Sequence, residues 1–187
     1  MGSYFTSEVI ILNKKMILPV IKYGSPILRK KAFDLDKGDE YKEIANNMML
    51  TLKNAGGIGL SGPQVGLLKN IFVIDTAPMK NDGVSSFEKA IFNPLILHYS
   101  EEEVYYNEGC LSIPGIHEDI FRPEKVEVRY RDENFDWHEE VLEGVVARIF
   151  QHEYDHLEGI LFIDKLSAIR KKLIKSKLRK IVNSVST

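Results

Sequence analysis

The chain contains a single cysteine, Cys110, among its 187 residues. An internal disulfide framework is therefore excluded, and the scarcity of cysteine favours the reducing cytoplasm. No stretch stays apolar and uncharged over the roughly 18 residues that a membrane span requires. The first residues also lack the basic start, apolar block and small-residue cleavage site of a secretory signal. We therefore expect a cytoplasmic protein without a membrane partner.

An excess of either charge is also missing, because 25 Lys and Arg stand against 27 Asp and Glu and give a formal net charge of −2. This balance gives no overall indication of nucleic-acid binding, and no DNA partner is expected. The apolar share of 44% and the charged share of 28% are ordinary for a globular protein. At this length one well-buried core, and hence one domain, is expected.

Hydrophobic periodicity predicts an α+β fold. Residues 38–57 are typical of an amphipathic helix that ends at its two glycines, and 70–77 and 87–99 are typical of strands. Residues 125–144 predict a hairpin, followed by a helix from about Val145 to Leu157 that Gly159 closes, and a basic helix ends the chain. The connections are short and strand–helix–strand alternation is missing, which argues against a doubly wound sheet.

The segment "FQHEYDHLEG", residues 150–159, contains His-Glu-x-x-His in the form of His152, Glu153 and His156. Two imidazoles one helical turn apart can hold a divalent metal, and the carboxylate between them can act on water bound to that metal. A catalytic metal of this kind usually takes three protein ligands and leaves one position for water. The motif therefore predicts half of a site and requires a third ligand.

The residues after the motif do not supply that ligand. Phe162 stands where metzincins carry their third histidine. After Glu158 the only acidic residue is Asp164, and no histidine follows the motif. The third ligand is therefore expected earlier in the chain.

Cys110 is the strongest candidate for the third ligand. It lies in "NEGCLSIPG", whose glycines, serine and proline make poor core sequence. Its thiolate would be stabilised by a dication, and one thiolate with two imidazoles makes a reasonable catalytic set. Three other histidines remain as substitutes, each also explained as a surface or hydrogen-bonding residue: His98, His117 and His138.

The segment "GIGLSG", residues 57–62, matches the Gly-x-Gly-x-x-Gly dinucleotide fingerprint. A genuine fingerprint follows a strand and opens a helix. Here a predicted helix precedes it, Pro63 follows it, and the acidic residue about 20 positions on, Asp82, lies in a predicted turn. We therefore reject nucleotide binding.

Three segments together resemble the signature motifs of bacterial-type peptide deformylases, in the same order and at similar spacing: "GIGLSGPQ" (57–64), "EGCLS" (108–112) and "QHEYDHLEG" (151–159). The resemblance covers 16–166, and the family usually has two alanines where this chain has Ser61 and Gly62. It implies antiparallel β-sheets packed around a central metal-binding helix, with a C-terminal helix. Residues 16–166 would form the catalytic domain, 167–187 a basic helix of that domain, and 1–15 an extension, disordered or non-native.

The resemblance implies a metal-dependent hydrolase that removes the formyl group from formyl-methionyl nascent polypeptides and releases formate. Cys110, His152 and His156 would hold the metal. Hydroxide formed on the metal would attack the formyl carbon, with Glu153 as general base and then general acid. The family analogy assigns the oxyanion donors to the side-chain amide of Gln64 and the backbone N–H of Leu111.

The substrate methionine requires an apolar slot beside the metal. Val145 and Ile149, one and two turns before His152, can form a wall of it, although core packing explains them equally well. Arg148 lies near the same face, at its rim. The backbone of Ile58, Gly59 and Leu60 could pair with an extended peptide. Three further residues are candidates for supporting the metal ligands, with a solvated ion pair as the alternative for the last two: Glu108, Arg122 and Asp155.

One divalent metal ion per chain is expected. A thiolate with two imidazoles suits zinc, whereas deformylases typically work best with ferrous iron. We expect Fe(II) in the cell, and zinc, nickel or cobalt in a purified sample.

The basic segment from Lys165 to Thr187 carries eight Lys or Arg and no acid. One interpretation is a solvated helix that packs Ile169, Leu173 and Leu178 on the body. The other is a contact with ribosomal RNA near emerging chains, which would weaken steeply with salt.

Two other functions share the metal motif. A zinc endopeptidase would use the same chemistry but normally takes a downstream third ligand. A structural metal site normally closes with four protein ligands and would leave Glu153 without a role.

Overall fold

The computed structural model describes residues 15–37 and 40–185 of the chain. Its three α-helices are α1 (Tyr41–Ala55), α2 (Gly144–Leu157) and α3 (Ala168–Val185). Its seven strands are β1 (Gly59–Ser61), β2 (Ile71–Asp75), β3 (Glu88–Tyr99), β4 (Glu103–Cys110), β5 (Ile113–Pro123), β6 (Lys125–Arg131) and β7 (Trp137–Glu143).

The strands form two antiparallel sheets. Five strands pair in the order β1-β2-β3-β6-β7, and β4 pairs with β5 in a separate hairpin. The predicted α+β class is therefore confirmed. The β4–β5 hairpin was not among the predicted elements, although in β5 buried and exposed residues alternate over much of its length.

Helix α2 is largely buried and packs against the five-stranded sheet. Strand β2 is buried along its whole length, because Phe72 and Ile74 pack toward α2 while Val73 packs with residues of α1. The rings of Phe72 and Phe150 meet edge to face with centroids 5.0 Å apart. Nine residues of α2 are buried. Because one flank of the helix is fixed against the sheet, its polar motif is held at a defined place.

The bounds of α2 follow from its glycines. The helix begins one residue before the predicted Val145, and Gly159 lies just beyond its end with a φ of +74°. A Cβ at Gly159 would also come within 2.7 Å of the carbonyl oxygen of Arg29, so the close approach of this segment requires glycine.

The C-terminal helix packs by a different face from the one expected. Ile169 and Leu173 are 74% and 62% exposed, so the interpretation that packed them on the body is wrong. Ile174 and Ile181 are buried instead, and Leu178 packs against the same cluster. The expected extension, residues 1–15, lies outside the described residues except for Lys15. Within the described part of the chain, no helix has both the length and the apolar character needed to cross a membrane.

Candidate metal centre

Cys110, at the end of β4, lies next to His152 and His156 of α2. The Sγ of Cys110 is 3.2 Å from Nε2 of His156, and one ligand atom from each of the three residues lies within 4.8 Å of the others. Both histidines are buried and the cysteine is half-buried. In the described residues the other three histidines lie outside this cluster: His98 is exposed, His117 lines the neighbouring cavity, and His138 pairs with Asp132.

The three residues fit a divalent metal. A tetrahedral metal with bonds of about 2.3 Å to sulfur and about 2.0–2.1 Å to nitrogen would separate these two atoms by roughly 3.5 Å, a little more than the 3.2 Å observed between Sγ and Nε2. Burial lowers the pKa of His156, which favours the neutral imidazole that binds metals. Burial also acts against protonation of His152, but hydrogen bonds with Cys110 and Glu108 raise its pKa to about 10. A cation placed between these groups would displace that proton.

Glu153 projects from α2 beside the two imidazoles. Its side chain is buried, and among the described residues its Oε2 has no hydrogen-bond partner. Burial raises the pKa of Glu153 to about 7. A carboxylate with an unpaired oxygen and a pKa near neutrality can accept and return a proton, which is the chemistry of a general base and acid.

Gly59 is the residue that makes room for this carboxylate. A Cβ at position 59 would overlap Oε1 of Glu153 and would lie 2.9 Å from its Cδ. The glycine is therefore required by the close approach of β1 to α2 rather than by its backbone conformation.

Glu108 connects the hairpin to the first histidine. Its Oε2 accepts a hydrogen bond from Nδ1 of His152 at 2.9 Å, which leaves Nε2 of the ring for a metal. Two guanidinium groups bind the same carboxylate, Nε of Arg122 at 2.7 Å and an Nη of Arg148 at 2.9 Å. Burial alone would raise the pKa of Glu108, but the bonds from His152 and Arg122 hold it well below its usual range.

The charge network continues from Arg122 to the surface. Arg122 is 2.5 Å from Asp155, whose carboxylate also pairs with the exposed Lys165 at 3.1 Å. The alternative of a solvated Arg122–Asp155 pair does not fit, because the Arg122 side chain is only 3% exposed. Arg148 lines the cavity as expected, but its guanidinium is engaged with Glu108 and with backbone carbonyls.

Gln64 presents its amide nitrogen to the centre. Its Nε2 lies 3.4 Å from Sγ of Cys110 and 3.3 Å from Oγ of Ser112. Its Oε1 accepts hydrogen bonds from the backbone N–H of Ser61 at 2.8 Å and from the Ser61 hydroxyl at 2.9 Å. The serine that replaces an alanine of the family pattern therefore adds one bond that orients this amide. At the other replaced position, a Cβ on Gly62 would come within 2.7 Å of two carbonyl oxygens.

A cavity of about 610 Å³ opens beside these groups. Four of the five residues predicted to contact a substrate line it, namely Ile58, Gly59, Val145 and Ile149. The fifth, Leu60, has its side chain in the hydrophobic core. Leu111 also lines the cavity, together with four residues that sequence reasoning did not connect with a substrate pocket: Lys22, Met79, Tyr106 and His117. No signal in the sequence marks these four, because each reaches the cavity through tertiary folding.

The chain is similar to known proteins over most of its length. A model of the polypeptide deformylase family matches residues 17–172. A peptide deformylase of Christiangramia forsetii is 48% identical over 176 residues, which cover 89% of this chain and 90% of that protein. Among solved structures, a plant peptide deformylase aligns with a TM-score of 0.84 and 36% identity, over 93% of this chain and 94% of that one. One from Plasmodium falciparum aligns with a TM-score of 0.81 and 36% identity, over 90% and 97%.

Proposed function

Because the chain belongs to the polypeptide deformylase family, which removes the N-terminal formyl group from nascent peptides, we propose that this hydrolysis takes place at the centre formed by Cys110, His152 and His156. The observation that supports the proposal most directly is the convergence of one thiol and two imidazoles from distant segments beside the buried Glu153. The reaction produces formate and a free amino terminus.

The enzyme is metal-dependent, and we assign its one divalent ion to Sγ of Cys110 and Nε2 of the two histidines. When bound, such an ion lowers the pKa of water and polarises a carbonyl group. Since Nδ1 of His152 is bonded to Glu108, the proton that stays on the ring when the ion binds is the one on Nδ1, and Nε2 is left for the ion.

Glu153 acts as the general base and then as the general acid. Its unpaired Oε2 accepts a proton from the attacking water, and the same oxygen later delivers the proton to the leaving amine. Burial raises the pKa of Glu153 and so favours its protonated form, which helps the carboxyl group to hold the proton between the two transfers. Exclusion of bulk solvent around this carboxylate keeps the proton within the reacting groups.

Gln64 and Leu111 supply donors to the oxyanion that forms on the formyl oxygen. The Nε2 of Gln64 faces the centre because both bonds to its Oε1 come from Ser61 on the opposite side. The backbone N–H of Leu111 follows Cys110 directly, so the ligand and the donor move together. Donors that are in place before the reaction are worth roughly 100- to 1,000-fold in rate each.

The cavity next to this centre binds the substrate. Val145 and Ile149 give it an apolar wall for the methionine side chain. Strand β1 lies at the edge of the large sheet, and within the described residues no strand pairs with its side away from β2, so the backbone of 58–60 can pair there with an extended peptide. Pairing through the main chain does not depend on the side chains of the peptide, which suits an enzyme that must accept many nascent sequences.

The buried carboxylates and Arg122 support the metal ligands. Glu108 orients His152, Arg122 holds Glu108, and Asp155 holds the other side of Arg122. Removing one member of such a buried network leaves an uncompensated charge at a cost of about 3–5 kcal/mol. We assign Glu108, Arg122 and Asp155 to positioning rather than to contact with the substrate.

Replacement of Gly59 by alanine is expected to lower kcat for formate release by roughly 100-fold, because the added methyl group displaces the Glu153 carboxylate by about 1 Å. The metal content should stay at the wild-type value, since Gly59 is not one of the three ligands. A Gly59→Ala protein with full kcat would contradict the placement of Glu153.

Fe(II) is proposed as the ion in the cell, with zinc, nickel or cobalt replacing it on purification, because a thiolate–Fe(II) pair is sensitive to oxidation. Enzyme prepared without oxygen and loaded with Fe(II) should lose activity on exposure to air, whereas the nickel-loaded protein should not. Equal stability of the two forms would count against iron.

The proposed reaction is tested by formate release from a formyl-methionyl peptide, followed by mass analysis of the remaining peptide. We expect one formate per peptide and no internal cleavage. Internal cleavage would favour an endopeptidase, and intact substrate with a fully loaded protein would favour a structural metal site.

We place the protein in the cytoplasm, with residues 16–166 as the catalytic domain and 167–187 as a helix of the same domain.

The helix exposes Ile169 and Leu173 beside its basic side chains, which supports a contact with the ribosome. Binding of the full chain to ribosomes should fall steeply as salt is raised. Binding that is absent, or equal in low and high salt, would contradict this contact.

A further inference from the structure

A tripeptide near the start of the described chain, Ile21-Lys22-Tyr23, bonds to both segments that carry the proposed oxyanion donors. The backbone N–H of Ile21 donates to the carbonyl oxygen of Gln64 at 2.8 Å. The backbone N–H of Tyr23 donates to the carbonyl oxygen of Ser112 at 2.8 Å. Between them, the side chain of Lys22 donates from Nζ to the carbonyl oxygen of Leu111, also at 2.8 Å.

The Lys22 side chain bonds to a backbone carbonyl, as the exposed Lys171 also does, but Lys22 does so inside the substrate cavity. It is half-buried and lines the substrate cavity. Lys31, Lys53 and Lys125 pair with carboxylates, whereas in the described ranges no carboxylate lies within 4.0 Å of Nζ of Lys22. Its ammonium group is therefore directed at a backbone carbonyl of the active-site turn and not at an ion-pair partner.

The residue that Lys22 holds lies outside the strand ladder. Leu111 and Ser112 form the turn between β4 and β5, and the last ladder pair joins Cys110 to Ile113. A turn without ladder bonds depends on other contacts to fix its peptide planes. Bonds to the carbonyls of Leu111 and Ser112 fix the two peptide planes that follow the Leu111 N–H, and so restrict the direction in which this N–H points.

We propose that Lys22 is a positioning residue of the deformylase reaction, whose ammonium group holds the 110–112 turn so that the Leu111 N–H faces the oxyanion. This inference rests on the proposed function, because it presupposes that Leu111 is an oxyanion donor. Lys22 acts through the turn and needs no contact with the reacting atoms. A charge-assisted hydrogen bond to a carbonyl is strong enough for this task.

The test compares Lys22→Met, which keeps the length of the side chain but removes the donor, with Lys22→Arg, which keeps a charged donor. In Lys22→Met we expect kcat to fall roughly 10-fold, less than the roughly 100- to 1,000-fold expected when an oxyanion donor is removed outright. KM and metal content should stay within twofold of wild type, and Lys22→Arg should recover part of kcat. Lys30 is an exposed lysine eight positions after Lys22, and Lys30→Met is the matched control, which should behave as wild type.

A second variant separates positioning from folding. In Lys22→Ala, added propylammonium should restore kcat with a saturable concentration dependence, and it should have no such effect on the wild type or on Lys30→Met. The inference would be overturned by a wild-type kcat in Lys22→Met. It would also be overturned by a loss of kcat that parallels a loss of metal or of thermal stability and that neither Lys22→Arg nor the added amine recovers. A wild-type protein that releases no formate would instead overturn the proposed function itself.

Discussion

Replacing Glu153 by glutamine is expected to reduce kcat for formate release by roughly 1,000-fold, within the range of about 100- to 10,000-fold that general acid–base groups contribute. Glutamine keeps the size and the polarity of the side chain but cannot accept the water proton. The loss should fall on kcat rather than on KM, because Glu153 lies among the reacting groups and not along the apolar wall that holds the methionine.

The metal content of Glu153→Gln shows whether its loss of kcat comes from missing proton transfer or from missing metal. Glu153 is outside the ligand cluster, so the variant should bind one divalent ion per chain as the wild type does. Glu158→Gln, an acidic residue on the next turn that pairs with Lys31, serves as the matched control and should keep full kcat. A Glu153→Gln protein with normal turnover would leave the structural metal site as the better interpretation.

Replacing Cys110 by serine is expected to weaken metal binding by more than about 100-fold. Loss of a residue that only hydrogen-bonds to a metal ligand weakens metal binding by up to about 100-fold, and loss of the ligand itself should cost more. A hydroxyl group is far less acidic than a thiol, so at neutral pH the variant offers no anionic ligand. The affinity is measured by competition with a coloured chelator, and formate release should fall in parallel with the metal bound.

His117→Gln is the control for the cysteine variant. His117 lines the same cavity and was a substitute candidate for the third ligand, but it lies outside the cluster of ligand atoms. This variant should therefore keep its metal. If His117→Gln lost the ion and Cys110→Ser retained it, the ligand set would be wrong.

The helix that carries the metal motif could be predicted almost to the residue. Its apolar positions recur with helical spacing, and Gly159 marks its end in the sequence as it does in the structure. Elimination of the downstream residues placed the third ligand earlier in the chain, and the segment around Cys110, which is poor core sequence, made this cysteine the strongest candidate ahead of three histidines. Both inferences depend on local pattern or on elimination, and neither requires knowledge of which segments meet.

The parts that the sequence did not reveal are the long-range ones. The bond from Lys22 to Leu111 joins residues 89 positions apart, and that from Arg148 to Glu108 joins residues 40 apart. Contacts between residues so far apart in the sequence produce no periodic pattern in it. The predicted packing of α3 was wrong for a related reason. The helix carries two overlapping rows of apolar residues, and only its position against the rest of the protein determines that Ile174 and Ile181 are buried while Ile169 and Leu173 are exposed.

The most direct test of the account is the X-ray absorption spectrum of the metal in the active enzyme. We predict one sulfur at about 2.3 Å and two imidazole nitrogens at about 2.0–2.1 Å, with the sulfur signal lost in Cys110→Ser. A fully active wild-type enzyme whose metal shows no sulfur neighbour would contradict the assignment of Cys110, and with it the mechanism built on this centre.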